Sequence, residues 1–196
     1  MAKGNLRFRN LTLLFGIVLA WLALDRFTKA AVENGHSVGD VLIDNLLGFR
    51  IELVHNTGAA WGAFSDATGS ISIVSIIVLV IIVVYSIWQS DKASVFEMIA
   101  LALLGAGGIG NLIDRLNQGY VTDFITPTFI EFPTFNVADI GVTFGVIMLI
   151  VSIIAQFVFM NQAQKVLEDV ESNSKKANKN TPGRAKNTQS KKGSKK

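Results

Sequence analysis

Val95–Arg115 reads VFEMIALALLGAGGIGNLIDR, an apolar run that ends in an amide, a carboxylate and a guanidinium. Three more apolar blocks accompany it, Leu11–Leu24, Ile71–Trp88 and Val137–Met160. A helix needs about 20 mostly apolar residues to cross the hydrocarbon core of a bilayer. The second, third and fourth blocks in chain order come close to that length, and the first reaches it by running on through Asp25 to Ala31. Residues 11–31, 70–88, 95–114 and 137–160 are therefore expected to span a membrane. A soluble domain of 196 residues, half of them hydrophobic and 17% charged, would not gather its apolar residues into four blocks. The expected fold class is membrane α-helical, with one four-helix domain over residues 1–165 and a basic tail over residues 166–196.

Charge sets the expected orientation. Lys165–Lys196, the last 32 residues, carries ten Lys or Arg against three acids, whereas Glu33–Asp66 carries five acids and a single Arg50. Lys and Arg are retained on the cytoplasmic side. The basic start (Lys3, Arg7, Arg9) and the basic tail then both lie inside, which demands an even number of spans. The outer segments are 32–69 and 115–136, and Gln89–Ser94 forms a short inner turn. The first block has the basic start and apolar middle of a cleaved signal peptide. However, Asp25-Arg26-Phe27-Thr28-Lys29 is a poor cleavage region and three spans follow, so an uncleaved helix is expected. The tail is rich in Lys, Asn and Ser and is expected to be disordered, either touching anionic lipid or simply solvated.

Period-two alternation over Gly48–Val54 predicts a short strand in the first outer segment. Phe124–Phe135, rich in Phe, Ile and Thr but broken by Pro127 and Pro133, is expected to be edge strand or extended chain. Together they would form a small β-rich apolar platform outside the membrane.

On this topology Asp25 closes the first span, Asn111, Asp114 and Arg115 close the third, and Asn136 and Asp139 open the fourth. Asp123 lies in the loop between. All reach the same outer boundary. Ionisable groups at membrane depth are costly and face a protein interior or a cavity, so one shared site is expected there.

Several chemistries lack their residues. With no cysteine, thiolate catalysis and Cys-type metal sites are excluded. His36 and His55, the only histidines, sit in no H-E-x-x-H, and no Ser sits in a G-x-S-x-G elbow. Gly105-Ala106-Gly107-Gly108-Ile109-Gly110 matches G-x-G-x-x-G but follows no strand, so it reads as close helix packing, as does Gly141–Gly145. Trp21, Trp61 and Trp88 suit interface anchoring. What remains is carboxylate chemistry. Two aspartates held close share a proton at neutral pH. The ionised one then activates a water while the protonated one polarises a carbonyl or protonates a leaving amine. The alternative is a structural role, with Asp25 and Asp114 as helix caps or partners of Arg26, Lys29 and Arg115. Asp139 has apolar residues after it and no cation nearby in sequence, so structure alone explains it poorly.

Asp25-x-x-Thr28-Lys29, Asn56-Thr57-Gly58-Ala59-Ala60-Trp61-Gly62, Gly110-Asn111-Leu112-Ile113-Asp114-Arg115 with Gly119-Tyr120-Val121-Thr122-Asp123-Phe124, and Phe135-Asn136-Val137-Ala138-Asp139 occur in this order. These blocks resemble the signatures of bacterial lipoprotein signal peptidase (signal peptidase II), over about Thr12 to Met160. The resemblance implies an aspartyl peptidase of the bacterial cell membrane, working as a monomer near the outer face without cofactor or metal. Its substrates would be prolipoproteins, cleaved just before a diacylglyceryl-modified cysteine, with membrane lipids as the other partners and no nucleic acid. Asp123 and Asp139 match the family's catalytic pair. Asp25, Lys29, Asn56, Gly58, Asn111, Asp114, Arg115 and Asn136 match site-shaping positions. Arg115 and Asn56 would hold substrate backbone or neighbouring carboxylates, and Asn111 and Asn136 would fix the pair. Trp61 replaces a common phenylalanine, and Arg26 replaces a common glutamine, adding a cation near Asp25 or for lipid phosphate. A transporter, the competing class, would place its acids near mid-membrane and often repeat its halves; this chain does neither.

Overall fold

A computed structural model describes residues 3–58 and 68–179. In chain order the elements are α1 (Lys3–Glu33), β1 (Val41–Leu46), β2 (Phe49–Asn56), α2 (Thr68–Gln89), α3 (Val95–Gln118), β3 (Val121–Pro127) and α4 (Val137–Lys179). Packing divides the chain into Met1–Ile153 and Ile154–Lys196. The first unit holds everything up to the N-terminal half of α4. The second continues α4, and its described side chains are exposed.

All four helices are long and apolar enough to cross a membrane. Each expected span is found, and each helix overruns it. The largest overrun is α4, which passes the expected end at residue 160 and reaches Lys179. Residues 166–179, expected to be disordered, are helical; this stretch has no Gly or Pro to break the helix that enters it, and its three Lys and two Glu favour helix. The remainder of the tail, with Pro182 and Gly183, lies outside the described residues, as does Trp61. Helix α3 is bounded sharply. The Ser94 side chain accepts from the Glu97 N–H at 3.1 Å, and Gly119, at φ 80°, closes the last turn with its N–H on the Arg115 carbonyl.

Helix α3 packs against α1 and α2, and its glycines bring it against α4. A Cβ on Gly107 would overlap the Ala138 carbonyl oxygen and lie 2.9 Å from the Val142 nitrogen. The backbones of α3 and α4 therefore touch, which draws their polar ends together. Asn10, fully buried on α1, donates to the carbonyls of Ser90 and Ala93 at 3.0 Å each and ties α1 to the α2–α3 turn. An apolar cluster of Ile82, Ala93, Met98 and Leu101 packs near that turn.

The strands form one antiparallel sheet in the order β1-β2-β3. The expected Gly48–Val54 strand is β2, running to Asn56. The expected extended segment is β3, which begins earlier, at Val121; Phe135 returns to bridge Ile125. Strand β1 was not expected, because VLIDNL shows no clean alternation. Val32, Leu53, Phe124 and Val137 form a second core that fastens the sheet to the ends of α1 and α4.

Candidate active site

The C-terminal ends of α1 and α3, the N-terminus of α4 and the Asp123 end of the sheet meet at one place. Asn136 caps α4, and its reciprocal bonds with Asp139 form a capping box. The Asn136 side-chain oxygen accepts from the Asp139 N–H at 2.9 Å, and Asp139 Oδ2 accepts from the Asn136 N–H at 3.1 Å. Asp139 thus has a local structural role beyond what the sequence reading, which found structure alone a poor explanation, had expected. The N-x-x-D spacing was the available signal.

Asp123 arrives from β3, and a bulge decides its company. Ile51 faces Ile125, but Val54, not Leu53, faces Asp123, because β2 carries one extra residue between these pairs. Without that residue, every side chain of β2 beyond it would change face. With it, Asn56 rather than His55 lies on the Asp123 side. Asn56 Nδ2 donates to Asp123 Oδ2 at 2.8 Å, and the Asn56 oxygen accepts from the Gly58 N–H at 3.0 Å.

Side-chain amides join the two carboxylates. Asn136 Nδ2 donates to Asp123 Oδ1 at 2.7 Å and to Asn111 Oδ1 at 3.0 Å. Asn111 Nδ2 donates to Asp139 Oδ1 at 2.7 Å. Lys29 Nζ, which can only donate, bonds Asn111 Oδ1 at 3.0 Å and so fixes which end of that amide faces Asp139. Each of the four carboxylate oxygens receives one N–H. Lone pairs remain for a proton, a water or a substrate.

Beneath this pair lies a buried ion network. Lys29 Nζ is 3.0 Å from Asp25 Oδ2 and 2.7 Å from Asp114 Oδ2, with all three side chains almost wholly buried. Arg26 pairs with Asp114 as well, and its Nε lies 3.8 Å from Asp25 Oδ2, so the expected cation beside Asp25 is present. Arg115, the sequence neighbour of Asp114, turns elsewhere; its Nη1 approaches the Asn111 carbonyl at 3.5 Å. Asp25 Oδ1 also accepts the Ala138 N–H at 3.0 Å, satisfying an open donor in the first turn of α4. Gly110 leaves room for it, since a Cβ there would lie 2.7 Å from Asp25 Oδ2. Behind Asp123, Thr122 donates to Glu33 Oε1, a clamp between β3 and α1 that the sequence reading missed. Thr122 stands in the Gly119–Phe124 block, but nothing in that block names Glu33 as its partner.

Among the described residues, two cavities open beside Asp139, and one of them also reaches Asp123. One of about 460 Å³ is lined by Asn56, Gly58, Asp123, the Phe132–Phe135 segment and Phe144. The other, about 570 Å³, runs along α2 from Ser70 to Ile82 and is walled by apolar residues of α3 and α4. Asp139 and Arg115 border both. Burial and the neighbouring Asp139 carboxylate push the Asp123 carboxyl up to about 7, against the opposing hydrogen bonds from Asn56 and Asn136. Among the described residues, no cluster of three or more His, Cys, Asp or Glu is placed to hold a metal ion.

Comparison with known proteins follows the same line. The family model described as "Signal peptidase (SPase) II" matches residues 17–155. The lipoprotein signal peptidase of Staphylococcus haemolyticus (strain JCSC1435) is 36% identical over 142 residues, covering 70% of this chain and 88% of the relative. That of Latilactobacillus sakei subsp. sakei (strain 23K) is 37% identical over 146 residues, with coverages of 72% and 95%. A bacterial membrane enzyme solved by the in meso method at 2.3 Å resolution superposes with a TM-score of 0.67 at 33% identity, covering 74% of this chain and 88% of that one. A match over most of the membrane domain, with relatives above 30% identity and a shared fold, means that this multi-pass membrane protein belongs to the signal peptidase II family of peptidases.

Proposed function

We propose that this protein removes signal peptides from prolipoproteins by hydrolysing the bond on the N-terminal side of a diacylglyceryl-modified cysteine, with Asp123 and Asp139 as its catalytic pair. The observation that carries this reading is the amide-pinned pair of carboxylates, bordering one cavity together, with Asp123 drawn to a pKa of about 7. Near neutral pH the pair then shares one proton. The ionised carboxylate takes a proton from a water, whose oxygen adds to the scissile carbonyl carbon. The other carboxyl gives its proton to the carbonyl oxygen. Collapse of the tetrahedral diol breaks the C–N bond, and a proton passes to the departing amine of the cysteine residue. Arg115, at the edge of both cavities, is placed to hold substrate backbone. Lys29, Asp25 and Asp114 hold the amides and the start of α4 in register, Asn111, Asn136 and Asn56 pin the two carboxylates, and Gly58 holds Asn56.

In this reading the basic termini lie on the cytoplasmic side of the bacterial cell membrane, which puts the pair near the outer face. A substrate anchored by acyl chains presents its scissile bond at that depth. The enzyme works as a monomer within the lipid. The test is a synthetic prolipoprotein in lipidated and unlipidated forms, incubated with the purified enzyme and read by mass spectrometry. Cleavage only of the lipidated form, and only before the modified cysteine, is expected. Equal cleavage of both forms, or a cut elsewhere, would overturn the substrate assignment.

A further inference from the structure

Thr122 stands beside Asp123 on β3 and is tied to three helices. Its hydroxyl accepts from Nε2 of Gln118, the last residue of α3, at 3.1 Å, and donates to Oε1 of Glu33, the last residue of α1. Its carbonyl accepts from Nδ2 of Asn136, the cap of α4, at 3.3 Å. A hydroxyl has one proton to give and a carboxylate only accepts, so the bond to Glu33 has a fixed direction. Thr122 is 1% exposed, whereas Glu33 is half-buried and Gln118 exposed.

The core that fastens the sheet to α1 and α4 is apolar, made of Val32, Leu53, Phe124 and Val137. Apolar burial holds surfaces together without direction, so it does not set the height of β3 along α1. A hydrogen bond has direction and a narrow range of length, and the one from Thr122 to Glu33 supplies that setting. His55 faces Thr122 across the strands and Val54 faces Asp123, so Thr122 and Asp123 point to opposite sides of the sheet. On the Thr122 side His55 stacks on Tyr120 at 3.7 Å between ring centroids, with its Nε2 3.9 Å from Glu33 Oε1. Lys29 lies one turn before Glu33 on α1. It bonds Asn111 Oδ1 at 3.0 Å, and Asn111 Nδ2 bonds Asp139 at 2.7 Å. The last turn of α1 therefore reaches both carboxylates, Asp139 from Lys29 and Asp123 from Glu33.

We propose that Glu33 is a positioning residue for the peptidase reaction, fixing β3 against α1 through Thr122 and so setting the place of Asp123 relative to Asp139. This rests on the reading of Asp123 and Asp139 as the catalytic pair. Neither Glu33 nor Thr122 lines either of the two cavities beside Asp139. Their effect on the reaction therefore passes through Asp123 and not through contact with substrate. Misplacing a reacting group by about 1 Å costs on the order of 10²-fold in rate, and with Asn56 and Asn136 still holding the carboxylate a lost clamp should cost about tenfold.

Steady-state kinetics of the full-length enzyme on a lipidated synthetic prolipoprotein separate this role from a merely structural one. The variants are Thr122→Val, Thr122→Ser, Glu33→Ala and the double Glu33→Ala/Thr122→Val, with Asp123→Asn and Asn10→Ala as references. Thr122→Val strands no buried group, because Glu33 and Gln118 can turn to water, so its fold should hold; thermal transitions verify this for every variant. Asn10→Ala breaks a buried tie at the other end of α1 and reports what loosening that helix costs by itself. The expected result is a fall in kcat of about tenfold in Thr122→Val and in Glu33→Ala, with KM within about twofold of the parent. Thr122→Ser, which keeps the hydroxyl, should hold kcat within about twofold of the parent. The double variant should be no slower than either single one, because the two substitutions remove the same bond. Four results would each overturn the inference while Asp123→Asn stays inactive and the catalytic pair stands. They are parental kcat in either folded single variant, a raised KM at unchanged kcat, a double loss equal to the product of the single ones, and an equal fall in Asn10→Ala. Full activity in folded Asp123→Asn would instead overturn the pair, and the inference with it.

Discussion

The Asp123→Asn substitution should reverse its effect on stability as pH changes. Asp123 is 2% exposed and has no cation in direct contact among the described residues. In the folded protein its carboxyl holds its proton to about pH 7, against 3.8 in a free chain. The folded state therefore binds more protons than the unfolded state between these values, and stability falls as pH rises through that window. A little over three pH units at about 1.36 kcal/mol each gives a loss on the order of 4 kcal/mol, complete above pH 7. Asparagine removes this loss but introduces another. Its single side-chain oxygen satisfies only one of the donors Asn56 and Asn136, and its NH2 group faces the other, at a cost of about 1–3 kcal/mol at every pH. The variant should thus be less stable than the parent near pH 4 and more stable near pH 8. For a chain of this size 1 kcal/mol moves the melting temperature by about 2–4 °C. Thermal unfolding of both proteins in one detergent, from pH 4 to pH 8, should show the gap in melting temperature change by about 8–16 °C and cross zero. A gap constant in pH would refute the argument that burial and Asp139 hold Asp123 in its neutral form.

Three other substitutions test the scaffold. Lys29→Met leaves Asp25 and Asp114 without their shared buried cation and should cost about 3–5 kcal/mol in denaturant unfolding; a loss below about 1 kcal/mol would mean the network is not buried as described. Gly107→Ala forces a methyl group into the Ala138 carbonyl and should cost about 1–3 kcal/mol or more by the same assay; a neutral result would contradict the backbone contact between α3 and α4. Trp21→Phe deletes the 3.1 Å bond from the indole N–H to the Val137 carbonyl and should cost about 1 kcal/mol, with no change expected if that bond is absent.

The four spans were legible because lipid imposes a length and composition that few other structures need. Their convergence on one polar end followed from span parity and the positions of Asp25, Asn111, Asp114 and Asp139. What the chain hid was phase and partnership. No pattern in Phe49–Asn56 announces the extra residue that turns Asn56 towards Asp123. Adjacency suggested Arg115 as the partner of Asp114, yet on a helix consecutive residues point apart, and the partners Arg26 and Lys29 came from α1, 88 residues away for Arg26. Strand β1 escaped notice because its turn, Asn45-Leu46-Leu47-Gly48, lacks the usual Asn-Gly signature. Helix α4 continues to Lys179 through residues expected to be disordered for want of apolar side chains to bury.

The central claim is that Asp123 and Asp139 act as one catalytic pair. Its most direct test is kcat/KM on a diacylglyceryl-modified prolipoprotein for the parent, Asp123→Asn and Asp139→Asn, with folding verified by thermal transitions. The account predicts that each substitution alone lowers kcat/KM by at least about 10²–10⁴-fold. Near-parental activity in either folded variant would contradict it and remove that carboxylate from the chemistry.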